Sequence, residues 1–138
     1  MNAVREMMRP VVKISSKQTV LEAAKLMKEC DRGSLVVMEG NIAVGIITER
    51  DFITRVAAEG LPYTTRVSQV MSSPLRTVDA NTSLKEAARI MFEHKIRRLP
   101  VVEGGTLAGM IAAQDFLGQL SKKTFTEEIW QALTSSTP

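Results

Sequence analysis

The feature that most constrains this chain is that it is written twice. Displaced by the 64 residues (115 − 51) that separate Asp51 from Asp115, the sequence matches itself. Pro10 falls on Pro74, Glu22-Ala23-Ala24 on Glu86-Ala87-Ala88, Met27 on Met91 and Glu29 on Glu93. Leu35 meets Leu99, Val37 meets Val101, Glu39-Gly40 meets Glu103-Gly104, and Gly45 meets Gly109. Ile47 then meets Ile111, and Asp51-Phe52 meets Asp115-Phe116. No gap is needed from Pro10 to Phe52, and about a third of the positions agree, a register that chance does not hold for so long. Each copy is too short to bury an adequate core alone, so the two are expected to pack on each other as one globule.

Each copy reads as strand, helix, strand, strand, helix. Val11-Val12-Lys13-Ile14 is a short extended segment after a proline. Thr19-Val20-Leu21-Glu22 has the form of a capping box, and Ser83-Leu84-Lys85-Glu86 offers the same chemistry in the second copy. Behind each cap, apolar residues recur at helical spacing: Val20, Ala23, Ala24, Met27, and Leu84, Ala87, Ala88, Met91. Leu35–Met38 and Ala43–Ile47 read as strands joined by a turn at Glu39-Gly40-Asn41. A second helix is predicted from about Glu49 toward Ala58, stopped by Gly60 and Pro62. Residues 60–66 form the linker between copies.

Composition narrows the function classes. Of the 138 residues, 44% are hydrophobic and 24% charged, the balance of a soluble globular protein, which excludes wholesale disorder, collagen and a disulfide scaffold. No apolar run approaches the roughly 20 residues needed to span a bilayer, and the N-terminus lacks the apolar core of a signal peptide. The single cysteine, Cys30, has no internal disulfide partner, so a reducing cytosol is the expected compartment. A net charge of +3 favours anionic ligands without demanding nucleic acid. Aromatic residues, at 4%, are too few for a surface that stacks single-stranded bases.

The doubled unit resembles a tandem pair of CBS domains, the cystathionine-β-synthase-type units that pair into a Bateman module. Gly45-Ile46-Ile47-Thr48-Glu49-Arg50-Asp51 closing one copy and Arg98-Leu99-Pro100-Val101-Val102 opening the strand pair of the other carry the resemblance. It covers about residues 4–120, with repeats at 4–60 and 67–120 and an amphipathic tail at 121–138. It implies an α/β (α+β) fold: two β-α-β-β-α repeats packed through their sheets as a pseudo-two-fold pair. Helices would then be available to form a homodimer. It further implies a regulatory protein, not an enzyme, that binds an adenine nucleotide (AMP, ADP or ATP) in a cleft between the repeats.

The site residues follow from the family's pattern. The acidic end of a Gly-x-x-Thr/Ser-x-x-Asp motif grips the ribose, since a carboxylate accepts two charge-assisted hydrogen bonds from a vicinal diol. Gly45, Thr48 and Asp51 match it. The same residues also suit a helix cap, with Thr48 at its start and Asp51 in the first turn. In the second copy Asp115 remains but Ala112 replaces the threonine, leaving an aspartate without that capping partner. The phosphates would meet Arg97 and Arg98, whose planar guanidinium donors suit them, with Gln114 adding a polar contact. The matching first-copy residues, Gly33 and Ser34, are uncharged. The purine would lie near Val12, Lys13 and Ile14, with Met8 and Pro10 close by. Strand packing explains any one of those side chains equally well.

Other signals fail. Cys30 and His94 hold equivalent repeat positions, but two ligands do not make a zinc site, and no metal is implied. His94 has no nucleophile arranged beside it. Gly104-Gly105 reads as a hairpin turn instead of a phosphate loop. No helix-turn-helix signal accompanies the few clustered basic residues, and nothing points to DNA or to a membrane. Two alternatives to the nucleotide sensor stay open. One is a sensor of S-adenosylmethionine, whose positive charge Arg97-Arg98 disfavours. The other is a dimeric adaptor with a vestigial cleft, its tail residues Phe125, Ile129, Trp130 and Leu133 docking on a partner or capping the dimer. The regulated partner itself is not readable.

Overall fold

In a computed structural model of the protein, residues 3–116 are described, so the expected tail at 121–138 lies outside the described residues. The repeat governs what is seen. The first copy gives β1 (Lys13–Ser15), α1 (Val20–Cys30), β2 (Ser34–Glu39), β3 (Ile42–Thr48) and α2 (Glu49–Asp51), the last continuing as a π-helix over Phe52–Ala57. The second gives β3's successors β4 (Val78–Asp79), α3 (Leu84–His94), β5 (Arg98–Glu103), β6 (Thr106–Ala112) and α4 (Ala113–Phe116). This is a mixed α+β architecture with two three-stranded sheets, ordered β1-β2-β3 and β4-β5-β6. In each sheet the first pair is parallel and the second antiparallel. A parallel pair needs a long crossover, which α1 and α3 supply. The register repeats down to its defects, with a shift at Val37/Met38 in one hairpin and at Val101/Val102 in the other.

The helices start as their caps dictate, with one difference. Thr19 Oγ1 accepts from Glu22 N–H (3.1 Å) and the Glu22 carboxylate accepts from Thr19 N–H (2.8 Å), a closed capping box. Ser83 Oγ likewise accepts from Glu86 N–H (3.0 Å), but the Glu86 carboxylate is turned onto Arg89, whose Nε lies at 2.9 Å. The second box is therefore half-closed, and the expectation of identical chemistry is corrected. Both helices end on a left-handed residue that is not glycine, Asp31 at φ 53° and Lys95 at φ 54°. At the β5–β6 turn Gly104 and Gly105 have φ of +60° and +79°, as a tight hairpin turn of this hand requires.

Each sheet buries one face against its long helix. Ile14, Val20, Ala23, Leu35, Val37, Ile47 and Val56 belong to one core, joined by Val67 and Val70. Val78, Leu84, Ala87, Met91, Leu99, Val101 and Ile111 belong to the other, joined by Val4. Three residues, Val4, Val67 and Val70, thus enter the core of the other copy.

The compact units accordingly cut across the repeats. Residues 11–76 form the first unit, and residues 3–10 join 77–116 in the second. Each unit is closed by a strap that begins with a 3-10 turn, Val67–Gln69 in the first and Val4–Glu6 in the second. The bonding is parallel. Val67 N–H donates to Gln18 O and Ser68 N–H to Ser16 O, while Val4 N–H donates to Thr82 O and Arg5 N–H to Ala80 O. Further on, Ser72 exchanges backbone bonds with Ile46, and Arg9 does so with Met110. The linker expected at 60–66 also has a structural task. Thr65 O and Tyr63 O accept from Val20 and Leu21 N–H, donors that a helix start otherwise leaves unpartnered.

One boundary and the winding of one helix differ from the sequence reading. The first strand begins at Lys13, not Val11, although Val12 O already accepts from Val36 N–H (2.9 Å). The helix after Thr48 reaches Ala57 as expected, but its second part is wound with wider bonds, such as Ala58 N–H to Ile53 O (2.9 Å).

Candidate functional site

Asp51 sits in the first turn of α2, immediately after β3, and is 7% exposed. Thr48 caps that turn. Its Oγ1 accepts from Asp51 N–H (3.1 Å), and Asp51 Oδ2 accepts from Thr48 N–H (3.0 Å) and from Thr48 Oγ1 (3.2 Å). One carboxylate oxygen is therefore committed to the cap. The other, Oδ1, faces Arg55 Nε one turn along at 3.6 Å, an ion pair without hydrogen-bond contact. Arg55 in turn donates through Nη1 to Val70 O (3.2 Å) and Met71 O (3.3 Å), clipping the strap to the same helix. The result is a fixed carboxylate with Oδ1 as its less engaged acceptor.

Asp115 repeats the arrangement with different parts. Its Oδ2 accepts from Ala112 N–H (3.2 Å), so the backbone half of the cap survives the loss of the threonine. An aspartate at the third helical position can satisfy a free N–H without any help from the cap side chain. Asp115 thus lacks the threonine partner, as expected, yet still caps its helix through the backbone. Its Oδ1 pairs with Arg9 Nη2 at 3.0 Å.

Arg98 opens β5 opposite Ala112, and Arg97 O accepts from Ala113 N–H (2.8 Å). Both arginines therefore stand at the end of the second unit that carries Asp115, where the first unit has Gly33 and Ser34 beside Thr48 and Glu49. Both arginines are half-buried. Among the described residues no ion pair involves Arg98. Gln114 is exposed on the second residue of α4. Of the three residues expected near a purine, Ile14 points into the first core and Val12 packs against it, while Lys13 is exposed on β1. Those two apolar side chains do structural work, and only the backbone and Lys13 remain to meet a ligand there.

Outside this constellation, Cys30 is exposed at the end of α1, and His94 closes α3 in the other unit. Among the described residues no group of three or more His, Cys, Asp or Glu side chains is placed to hold a metal ion. No helix among them is long and apolar enough to cross a membrane.

The sequence reading missed Arg9, Arg55 and the straps. Arg55 stands four residues after Asp51, a spacing that brings side chains together on a helix. The straps repeat Val4-to-Met8 as Val67-to-Met71, a displacement of 63 (67 − 4), one less than the register of the main repeat.

The CBS domain family matches residues 3–58 and 67–122. The CBS domain-containing protein YhcV of Bacillus subtilis is 38% identical over 126 residues, covering 90% of each chain. Among solved structures, a putative signal-transduction protein with CBS domains from Burkholderia ambifaria is 34% identical. It superposes with a TM-score of 0.77, covering 86% of this chain and 89% of its own. A hexameric CBS-CP12 protein from bloom-forming cyanobacteria is 35% identical with a TM-score of 0.81, covering 88% of this chain and 69% of its own. With two matched copies, in-register sheets and these relatives, the chain belongs to the CBS-domain family and carries a tandem pair of its domains.

Proposed function

We propose that this protein is a cytoplasmic regulatory sensor, not an enzyme, that binds an adenine nucleotide through Asp51 and Arg98. The observation that carries the reading is the Asp51 carboxylate. It is 7% exposed and immobilised through Oδ2 by Thr48, yet its Oδ1 has only an ion pair at 3.6 Å. A pre-fixed acceptor loses little entropy on receiving a ribose diol, and its charge strengthens both bonds. Arg98 and Arg97 supply the complement for phosphate. Self-association, as a homodimer or higher assembly, accompanies this reading and draws support from the hexameric cyanobacterial relative. The regulated protein would read out whichever packing the ligand favours, and the ligand shifts it only by its differential affinity.

The test is calorimetry and thermal shift with AMP, ADP, ATP and S-adenosylmethionine. A nucleotide at 100 times its dissociation constant adds about 2.7 kcal/mol of stability. Asp51→Asn keeps an oxygen for the Thr48 N–H while removing the charge. It and Arg98→Ala are each expected to weaken nucleotide binding by about 1.5–3 kcal/mol. Binding of S-adenosylmethionine that survives Arg98→Ala would overturn the phosphate role. Absence of binding by a folded protein would turn the assignment to an adaptor.

A further inference from the structure

We propose that Arg9 is an intrachain occupant of the Asp115 carboxylate, which a nucleotide ribose must displace, so that the second of the two equivalent acidic sites is gated by the N-terminal strap. The inference rests on the nucleotide reading above and concerns the regulation of the second site.

The geometry sets up a competition for one atom. Asp115 Oδ2 is committed to Ala112 N–H, which leaves Oδ1 as the acceptor a diol needs, and Arg9 Nη2 lies 3.0 Å from it. The exposures of the two partners are unequal. The Asp115 side chain is 9% exposed and stays in place, whereas that of Arg9 is 61% exposed and can swing into water at little desolvation cost. Arg9 is delivered by the strap, not by chance contact. Its backbone exchanges 2.9 Å bonds with Met110, and its carbonyl and Met8 lie over Gly109, where an added Cβ would come within 2.9 Å of both. Releasing the side chain therefore leaves the strap docked.

The first unit shows the same strap without the plug. Ser72 makes the corresponding backbone exchange with Ile46, and Met71 lies over Gly45. Serine carries no charge, and the cation near Asp51 comes from its own helix at 3.6 Å. One strap position, arginine in one unit and serine in the other, thus separates a plugged carboxylate from a more open one.

The experiment is isothermal titration of the full chain with AMP, ADP and ATP in an Asp51→Asn background, so that residual binding reports the Asp115 site. Arg9→Ser, which copies the first unit, is expected to raise that residual affinity about two- to fivefold, the range set by breaking one partly exposed ion pair. Arg9→Lys is expected to stay near the parent. Adding Asp115→Asn to Arg9→Ser is expected to remove the gain. An unchanged or lower affinity in Arg9→Ser, with Asp51→Asn still weakening the wild-type site, overturns the plug and leaves the nucleotide reading standing. No nucleotide binding by the wild type removes both.

Discussion

The two units hold equivalent carboxylates by unequal means. Asp51 is fixed by a threonine three residues away and by an arginine of its own helix, so every restraint on it is local. Asp115 is fixed by one backbone N–H and by Arg9, more than a hundred residues back along the chain. A local restraint forms with the helix and is always present. A distant one depends on the strap being docked and can be exchanged for something else. The difference teaches where, in a duplicated fold, control can be added without disturbing the scaffold: at a strap position whose backbone is essential and whose side chain is not.

That argument requires the scaffolds themselves to be alike, which the largest expected effect tests. Leu35 and Leu99 are fully buried at matching places in β2 and β5, paired across to Ile47 and Ile111. Leu35→Ala and Leu99→Ala are each expected to cost about 2–5 kcal/mol in chemical denaturation. Costs differing by more than a factor of two would break the equivalence of the cores.

Next in size is the seating of the straps. A Cβ at Gly45 would meet Ser72 O at 2.7 Å and Met71 Sδ at 2.8 Å, and one at Gly109 would meet Met8 Sδ at 2.8 Å and Arg9 O at 2.9 Å. The methionines can yield, but the carbonyls belong to the paired backbone. Gly45→Ala and Gly109→Ala are each expected to destabilise by about 1–3 kcal/mol. Hydrogen exchange should show lost protection at the Ser72 and Arg9 amides respectively. Only Gly109→Ala should also loosen Arg9 from Asp115.

The cap comes third. Thr48→Ala is expected to cost about 0.5–2 kcal/mol and to leave Asp51 held as Asp115 is, by one backbone N–H and one arginine. Ala112→Thr should recover part of the same amount in the second unit, because Asp115 is already turned toward the cap. A destabilising Ala112→Thr, measured by thermal unfolding, would mean that the missing threonine is dictated by space and not by drift from the first copy.

Much of this was legible in the sequence because the repeat carries it. The long helices, their caps, the hairpins and the Thr48-to-Asp51 turn all lie between Pro10 and Phe52, where one displacement aligns both copies. The strap exchange was not legible. Upstream of Pro10 the register changes by one residue, so Val4 and Met8 match Val67 and Met71 only if the reader slips the alignment. Nor does chain order say which copy a segment will close: that is decided by backbone bonds such as Val4 N–H to Thr82 O. Arg9 was invisible for the same reason, since its partner lies in the other repeat.

The smallest effect concerns the two caps that looked alike. Glu22-x-x-Lys25 and Glu86-x-x-Arg89 are equivalent triads with Glu29 and Glu93, yet only Glu22 closes its box. The planar fork of Arg89 takes Glu86 through Nε and Nη2 and reaches Glu93 through Nη1, a grip one ammonium cannot copy. Glu22 is held below the usual carboxylate range chiefly by Thr19 N–H, and Glu86 chiefly by Arg89. A carboxylate whose folded value is depressed contributes stability above its unfolded value and loses it as pH falls through the folded one. Both contributions should therefore fade below pH 4.5. They should part company in salt, which screens a pair of exposed charges more than a bond to a helix-start N–H. Glu22→Gln is expected to flatten the acid limb of the melting curve at any ionic strength, and Glu86→Gln only at low salt. Arg89→Lys should free Glu86 to close its box and make the second cap respond to salt as the first does. If the two acid limbs remain distinct in Arg89→Lys, the choice between Thr19 and Ser83 at the cap, and not the arginine, is what separates the two helix starts.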